Sequence, residues 1–259
     1  MKAQAYNGER LVAAIERQSH SPMNPEVLDA AERQMRQWLR AYQGQGRAVA
    51  STKPGGPASI GPYLTISRES GSGGSRIARL VGEMIGWEVL DRELLECLAE
   101  RYRTSPAVLE LVQQNYNNWI TDIFGKWIDP DSVAQTQYTL HLSRVILMAA
   151  RARGVIYVGR GAQLLLPHQR GLSVRLIASL GYRVQRVAER RHLSFDEARD
   201  YVEKTDARRQ KFTRQCFHRD IADPHLFDMM INVERIGPQR TAQLIAGALA
   251  SCFGARPSL

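Results

Sequence analysis

The sequence predicts an α/β protein, a parallel sheet covered on both faces by helices and preceded by a helical extension. Three observations carry that expectation. From residue 62 onward, short apolar runs alternate with stretches of helical periodicity, the pattern of strands joined by crossover helices. The first of those runs leads straight through a glycine-rich turn into a well-patterned helix. The first 60 residues have a different texture and read as an appendage.

In the appendage, Pro25 to Tyr42 is a helix, with Asn24 as its cap, Pro25 in the first turn and Gly44 as terminator. Leu28, Ala31, Met35, Trp38 and Tyr42 recur in steps of three and four. That seam is too short for a coiled coil and suits packing on the body or on a partner subunit. Residues 44–61, rich in Gly, Pro, Ser and Ala, read as a linker. Tyr63-Leu64-Thr65-Ile66-Ser67 is the first strand, followed by Ser70-Gly71-Ser72-Gly73-Gly74-Ser75. The next helix places Ile77, Leu80, Val81, Met84 and Ile85 on one face and stops at Gly86. Trp87 to Leu90 is a second strand ending at Asp91, and a helical block fills about 92–153, with a start signal at Ser105-Pro106. Val155 to Val158 leads into Gly159-Arg160-Gly161, and Val174 to Ala178 precedes two Arg-rich helices. A capping box at Ser194-Phe195-Asp196-Glu197 starts the second of these. Asp228 to Val233 is the last strand, Pro238 opens a terminal helix, and 253–259 form a tail.

The net charge is +9, from 30 Arg, 5 Lys and 26 acidic residues. No run approaches the ~18 apolar residues of a membrane helix, and no signal-peptide core follows Met1. Cys97, Cys216 and Cys252 are scattered, without metal-ligand spacing, so they read as structural thiols in a reducing, cytoplasmic setting. The positive excess lies in residues 131–259, and ten basic side chains fall within 183–214. Guanidinium forks grip phosphate in two places. Codon bias toward Arg is the plainer source of the excess, so position must decide. Six acids interleave with the ten bases, which breaks any stripe that would track a nucleic-acid backbone.

A strand, a glycine turn and a helix together form an anion site, because backbone N–H groups converge on phosphate oxygens at the helix N-terminus. Residues 70–75 add three hydroxyls. The pattern G-x-x-x-x-G-K-[ST] is not met: with Gly73 as the second glycine, Arg68 stands at the first and Gly74 at the lysine. Arg76 is the nearest basic residue beyond. A dinucleotide reading through Gly71-x-Gly73 and Asp91 fails at Arg76, too bulky for the third glycine position. A turn that binds nothing leaves its place between strand and patterned helix unexplained.

Thr65-Ile66-Ser67-Arg68-Glu69-Ser70-Gly71-Ser72-Gly73-Gly74, with Val89-Leu90-Asp91-Arg92-Glu93-Leu94-Leu95, resembles the cytidylate kinase-like family, a branch of the P-loop nucleoside monophosphate kinases. Val158-Gly159-Arg160-Gly161-Ala162, Lys204-Thr205-Asp206-Ala207-Arg208-Arg209 and Asp228-Met229-Met230-Ile231-Asn232 agree with it in order. The resemblance implies a P-loop NTPase three-layer fold over residues 61–252, with a five-stranded parallel sheet, a helical NMP-binding insertion and an Arg-rich helical lid at about 183–215. It implies ATP and Mg²⁺, and phosphoryl transfer to a monophosphate such as CMP or dCMP or to another small phosphorylated acceptor. On this resemblance Ser70, Gly71, Ser72, Gly73, Gly74 and Ser75 hold the ATP phosphates, and Ser75 is a candidate Mg²⁺ ligand beside Asp91. Asp91, Arg92, Arg160 and Asp206 fall at the acceptor, and Arg76, Arg183, Arg208 and Arg209 supply charge to the transfer. Three residues depart from the pattern: Gly74 for the lysine, Gly161 for an acidic residue and Arg92 for a small hydroxyl. Some family members share the lysine-free loop.

The expected partner is therefore a small nucleotide rather than a membrane or nucleic acid, with the N-terminal helix available for homo-oligomer contact. Trp119, Phe124 and Trp127 read as core aromatics, and His218 to His225 has the residue types of a metal site without a reason to converge. The competing function is a regulatory protein that keeps the fold, binds nucleotide and has lost turnover. The missing lysine favours that alternative, and the retained Asp206-x-Arg208-Arg209 favours the enzyme.

Overall fold

The computed structural model describes residues 25–45, 60–102, 133–151 and 154–254. The chain divides into two compact units, one of residues 1–59 with 93–152 and the other of 60–92 with 153–259. The linker at 46–59, Asn24, the Ser105-Pro106 start, Trp119, Phe124 and Trp127 lie outside the described residues.

The second unit is a parallel sheet of five strands: β1 (Tyr63–Arg68), β2 (Glu88–Leu90), β3 (Val155–Val158), β4 (Gly171–Ile177) and β5 (Met229–Asn232), ordered β2-β3-β1-β4-β5. Leu64 pairs with Ile156 on one side and Leu172 on the other, so β1 is the central strand. The chain leaves β1 for the far edge at β2 and later builds β4 and β5 on the opposite side. Open α/β sheets bind ligands at the carboxyl ends of the strands where the connections diverge, which here is the end of β1.

Alternation along β1 sorts its side chains between two layers. Leu64 and Ile66 join Ile77, Val81, Ile156, Val174, Ile245 and Leu249 in one core. That core is closed by α2 (Gly74–Ile85) and by α9 (Pro238–Phe253). Each fully buried Leu or Ile there contributes about 2 kcal/mol by leaving water. Tyr63, Thr65 and Ser67 face the other way and are also buried. They form a polar ladder, in which Thr65 Oγ1 donates to Ser173 Oγ at 3.1 Å and Arg175 Nη1 donates to Ser67 Oγ at 3.1 Å. Both faces of the sheet are covered, as the strand–helix alternation predicts.

Four short helical elements complete the list around α6 (Leu180–Arg191) and α7 (Phe195–Phe217): α5 (Ala162–Leu165), α8 (Val233–Ile236) and two 3-10 turns. Helices α6 and α7 pack through a small core of their own, Val184 and Val187 against Ala198 and Val202. Ser194 caps α7 with the reciprocal bonds of a capping box.

In the first unit, α1 (Pro25–Gln45) buries Ala31, Met35 and Trp38 of the seam, and Glu32 pairs with Arg101 of α3 (Arg92–Arg101). Helix α4 (Val133–Ala150) buries Leu142, Val145 and Ile146. The expected strands and helices recur with two shifts. Helix α1 runs through Gly44 to Gln45 instead of stopping at Tyr42. Strand β4 starts at Gly171, three residues before Val174, because the Tyr63 ring lies where a Cβ at 171 would be, so a residue that reads as loop is required inside the strand.

Candidate functional site

Strand β1 ends at Arg68, and the glycine turn carries the chain over the carboxyl edge of the sheet into α2. Gly71 and Gly73 hold φ of 87° and 88°, a region that side chains with a Cβ rarely enter. Gly73 is also the N-cap of α2 and offers no side chain to it, so the N–H groups of Gly74 and Ser75 stay available to a ligand, while that of Arg76 donates to the Gly73 carbonyl at 3.0 Å. The loop keeps its shape through Ser72, whose N–H and hydroxyl both donate to the Glu69 carbonyl, at 3.3 and 2.9 Å.

A second set of bonds ties this loop to the Arg-rich helices. Asp206 of α7 accepts the Ser70 N–H at 2.7 Å and Arg183 Nη1 at 2.6 Å. Arg183 also donates to the Ser70 carbonyl at 3.2 Å and to the Ala178 carbonyl at 3.0 Å, and its Nε lies 3.3 Å from Glu69 Oε2. The carboxylate of Glu69 accepts the Ala178 N–H at 3.0 Å, which stitches the exits of β1 and β4 together. The approach is tight: a Cβ on Gly71 would stand 2.5 Å from the Arg183 carbonyl oxygen. Arg209 closes the set by donating to the Arg68 carbonyl at 2.9 Å. Burial holds the Arg209 and Arg175 guanidinium groups below their ordinary values, while the carboxylate of Asp206 opposes the shift at Arg209 and that of Glu69 leads the opposition at Arg175.

The end of β3 supplies a second turn. Gly159, Arg160 and Gly161 all have positive φ, and Arg160 at 60° is a non-glycine residue in the left-handed region. That conformation turns the Arg160 guanidinium over the Phe212 ring, 5.1 Å from its centre. Burial first, then the charges of Arg92 and Arg209, push Arg160 down to about 9, with Cys216 opposing. Arg68, Arg92, Arg160 and Arg209 therefore act on one another as like charges at the carboxyl ends of β1, β2 and β3.

The predicted residues are placed as follows. Ser70 to Ser75 form one loop, with Ser70 and Ser72 buried and Ser75 exposed in the first turn of α2. Asp91 and Arg92 follow β2 within electrostatic range of Arg68, and Arg160 joins them from β3. Asp206, expected at the acceptor, is instead bonded to the glycine loop, as are Arg183 and Arg209. Arg76 and Arg208 are exposed, and Arg208 bonds within α7 to the Lys204 carbonyl and Thr205. Among the described residues no group of three His, Cys, Asp or Glu is arranged to hold a metal, so His218 to His225 forms no such group there. The three cysteines are free thiols.

Two further arginines also meet the loop. Arg186 sets Nη2 3.2 Å from the Cβ position of Gly73, held by a 2.8 Å bond from Nη1 to the Tyr182 hydroxyl. Arg68 runs beneath the loop against Gly74. The signal for Arg186 was its place on the basic face of α6, one turn after Arg183.

The chain is similar to several known proteins. The chain is 36% identical over 80 residues to a cytidylate kinase of Sulfolobus acidocaldarius, a match covering 30% of this chain and 43% of that protein, so the chain spans less than half of that relative's length. A crystal structure of an uncharacterized protein from Eubacterium ventriosum superposes with a TM-score of 0.60 at 18% identity, covering 73% of this chain and 98% of the other. A shikimate kinase from Bacteroides thetaiotaomicron matches at 12% identity and a TM-score of 0.38, over 74% of this chain and 98% of that one. Residues 63–235, which run from β1 through the Arg-rich helices to β5, match the model of the cytidylate kinase-like family, and the chain belongs to that family.

Proposed function

We propose that the protein transfers a phosphoryl group from ATP to a nucleoside monophosphate of the CMP or dCMP kind. One observation carries the reading: a glycine loop held at the N-terminus of α2 faces a cluster of guanidinium groups from β1, β2, β3 and α7. Phosphoryl transfer needs positioning and positive charge around the moving group more than covalent chemistry from the protein.

Residues Ser70 to Ser75 bind the ATP phosphates through the backbone N–H groups of Gly71, Gly73, Gly74 and Ser75, those of Ser70 and Ser72 being taken by Asp206 and the Glu69 carbonyl, with Arg186 alongside Gly73. Asp91, Arg92 and Arg160 orient the acceptor monophosphate. Arg183, Asp206 and Arg209 fix the loop, and exposed Arg76 and Arg208 are placed to swing onto the phosphates when the Arg-rich helices close and expel water. Mg²⁺ fits this donor set: the Ser75 hydroxyl is exposed and makes no hydrogen bond among the described residues, and Asp91 adds a carboxylate. When bound with ATP, the ion neutralises charge on the phosphate oxygens.

The test is ADP release from ATP-Mg²⁺ with a panel of nucleoside monophosphates, read beside ATP binding by calorimetry. Release with a pyrimidine monophosphate and not with the others is the expected result. ATP binding without release for any acceptor would replace this reading with that of a nucleotide-binding regulatory protein. An Arg76→Ala variant with full turnover would remove Arg76 from the transfer.

A further inference from the structure

The usual phosphate loop sends its cation up from the start of the helix, as a lysine next to the second glycine. Here that position is Gly74, and the structure shows why nothing larger stands there. A Cβ on Gly74 would lie 2.7 Å from Arg68 Cγ and 2.9 Å from Arg68 Cβ. The space a lysine stem would need is filled by an arginine stem. That arginine occupies the place of the pattern's first glycine, so cation and glycine have traded positions. The alternation that turns Leu64 and Ile66 toward α2 turns Arg68 the same way and takes it under the loop. Its guanidinium ends against Gly159, where a Cβ would collide with Nη1, at the carboxyl end of the neighbouring strand.

We propose that Arg68 is a catalytic residue that grips the terminal phosphoryl group of ATP, in place of the absent lysine. This rests on the phosphotransfer reading and adds the group that binds the moving phosphate. Other arginines of this unit have acceptors in place: Arg183 has two carboxylates and two carbonyls, and Arg170 donates to the Ile60 carbonyl at 2.9 Å. The Arg68 guanidinium, by contrast, makes no hydrogen bond or ion pair among the described residues, although its backbone carbonyl accepts from Arg209. Burial, followed by the like charges of Arg209, Arg160 and Arg92, pushes it down to about 9 against the pull of Asp91, so it is still a cation at neutral pH. A partly buried cation with three like charges near it costs stability unless an anion joins it. A phosphoryl group at the mouth of the loop is such an anion, and a planar fork suits its oxygens.

The experiment compares thermal melts with and without ATP-Mg²⁺, and initial rates, for the full chain and four variants. Arg68→Met is expected to melt no lower than wild type when unliganded, to lose most of the ATP-Mg²⁺ shift, and to lose turnover about 100-fold or more, the scale of one removed electrostatic donor. Should that variant not fold, Arg68→Gln keeps the stem on Gly74, removes only the charge and carries the same comparison. Gly74→Lys alone should be inactive, because two stems compete for one space, and the double variant Arg68→Gly with Gly74→Lys should exceed both Gly74→Lys and Arg68→Met in turnover. Wild-type turnover and an undiminished ligand shift in Arg68→Met would overturn the proposal while leaving the kinase reading intact. A lower unliganded melt with the ligand shift unchanged would make Arg68 a packing element and also overturn it. If wild type is stabilised by ATP-Mg²⁺ yet releases no ADP, the kinase reading fails alone, and the ligand shift of Arg68→Met still decides for or against the grip. A wild type that ATP-Mg²⁺ does not stabilise would overturn both.

Discussion

Arg183 and Arg68 meet the same glycine loop at different residues and are treated in opposite ways. Arg183 comes from α6, approaches Gly71 and has every reachable acceptor in place: Glu69, Asp206 and the carbonyls of Ser70 and Ala178. Arg68 comes from β1, approaches Gly74 and reaches other arginines instead. A charge whose partners are all supplied by the protein fixes backbone geometry and has little left for a ligand. A charge left among like charges is held ready for one. The guanidinium group is the same in both cases, and the surroundings divide scaffold from site.

The largest test of that division is Asp206→Ala. It strips Arg183 of its shortest ion pair and leaves the Ser70 N–H without an acceptor. Losing one partner of a largely buried pair costs about 3 kcal/mol. That loss should appear as a lower urea midpoint together with a lower ATP-Mg²⁺ affinity, and a cost below about 1 kcal/mol would put Arg183 with the ligand-facing group. Arg186→Ala sharpens the comparison from the other direction. Its one side-chain bond goes to Tyr182 on its own helix. Stability should stay within about 0.5 kcal/mol of wild type, while ATP-Mg²⁺ affinity drops about tenfold, close to 1.4 kcal/mol for one charged contact. A change in melting with unchanged affinity would move Arg186 to the scaffold.

The smallest effect belongs to the far end of α7. Ser194→Ala removes the capping box and should lower the melting temperature by about 3 °C. The Ser194 hydroxyl and N–H hold the Glu197 carboxyl below its ordinary value. Because that folded-state value is depressed, the contribution is present above the usual carboxylate range and is lost as pH falls through the depressed value. Melts run across that acid window should show a shallower loss in the variant. An unchanged acid limb would mean the cap is electrostatically silent.

The loop and its flanking elements were legible in the sequence because local rules suffice for them. Period-two alternation fixes which residues of β1 face α2, and extending it one residue past the expected end of the strand puts Arg68 on that side with Leu64 and Ile66. The capping box and the stop at Gly86 are also short-range signals, and both recur. The partner of the Ser70 N–H, by contrast, lies 136 residues away on Asp206, and no local pattern announces such a pairing. The run Asp206-Ala207-Arg208-Arg209 reads as one charged cluster, yet 3.6 residues per turn separates it. Asp206 and Arg209 share the side that meets the loop, and Arg208 turns outward. The late start assigned to β4 has the same origin, since only the ring of Tyr63 reveals why Gly171 belongs inside the strand.

Asp206 sits at the midpoint of the 23-residue α7, which makes that helix a balanced beam. Eleven residues lie on each side, so each arm is about 16 Å long. The inner arm ends at Phe217, fully buried against Gly161, with Phe212 under the Arg160 guanidinium, and the outer arm ends at Phe195, more than half exposed. With the pivot pinned to the loop, a tilt of about 10° would move each tip by about 3 Å in opposite senses. A displacement of Phe212 and Phe217 on the inner arm would thereby be felt at the other tip, and the length of the beam sets the gain.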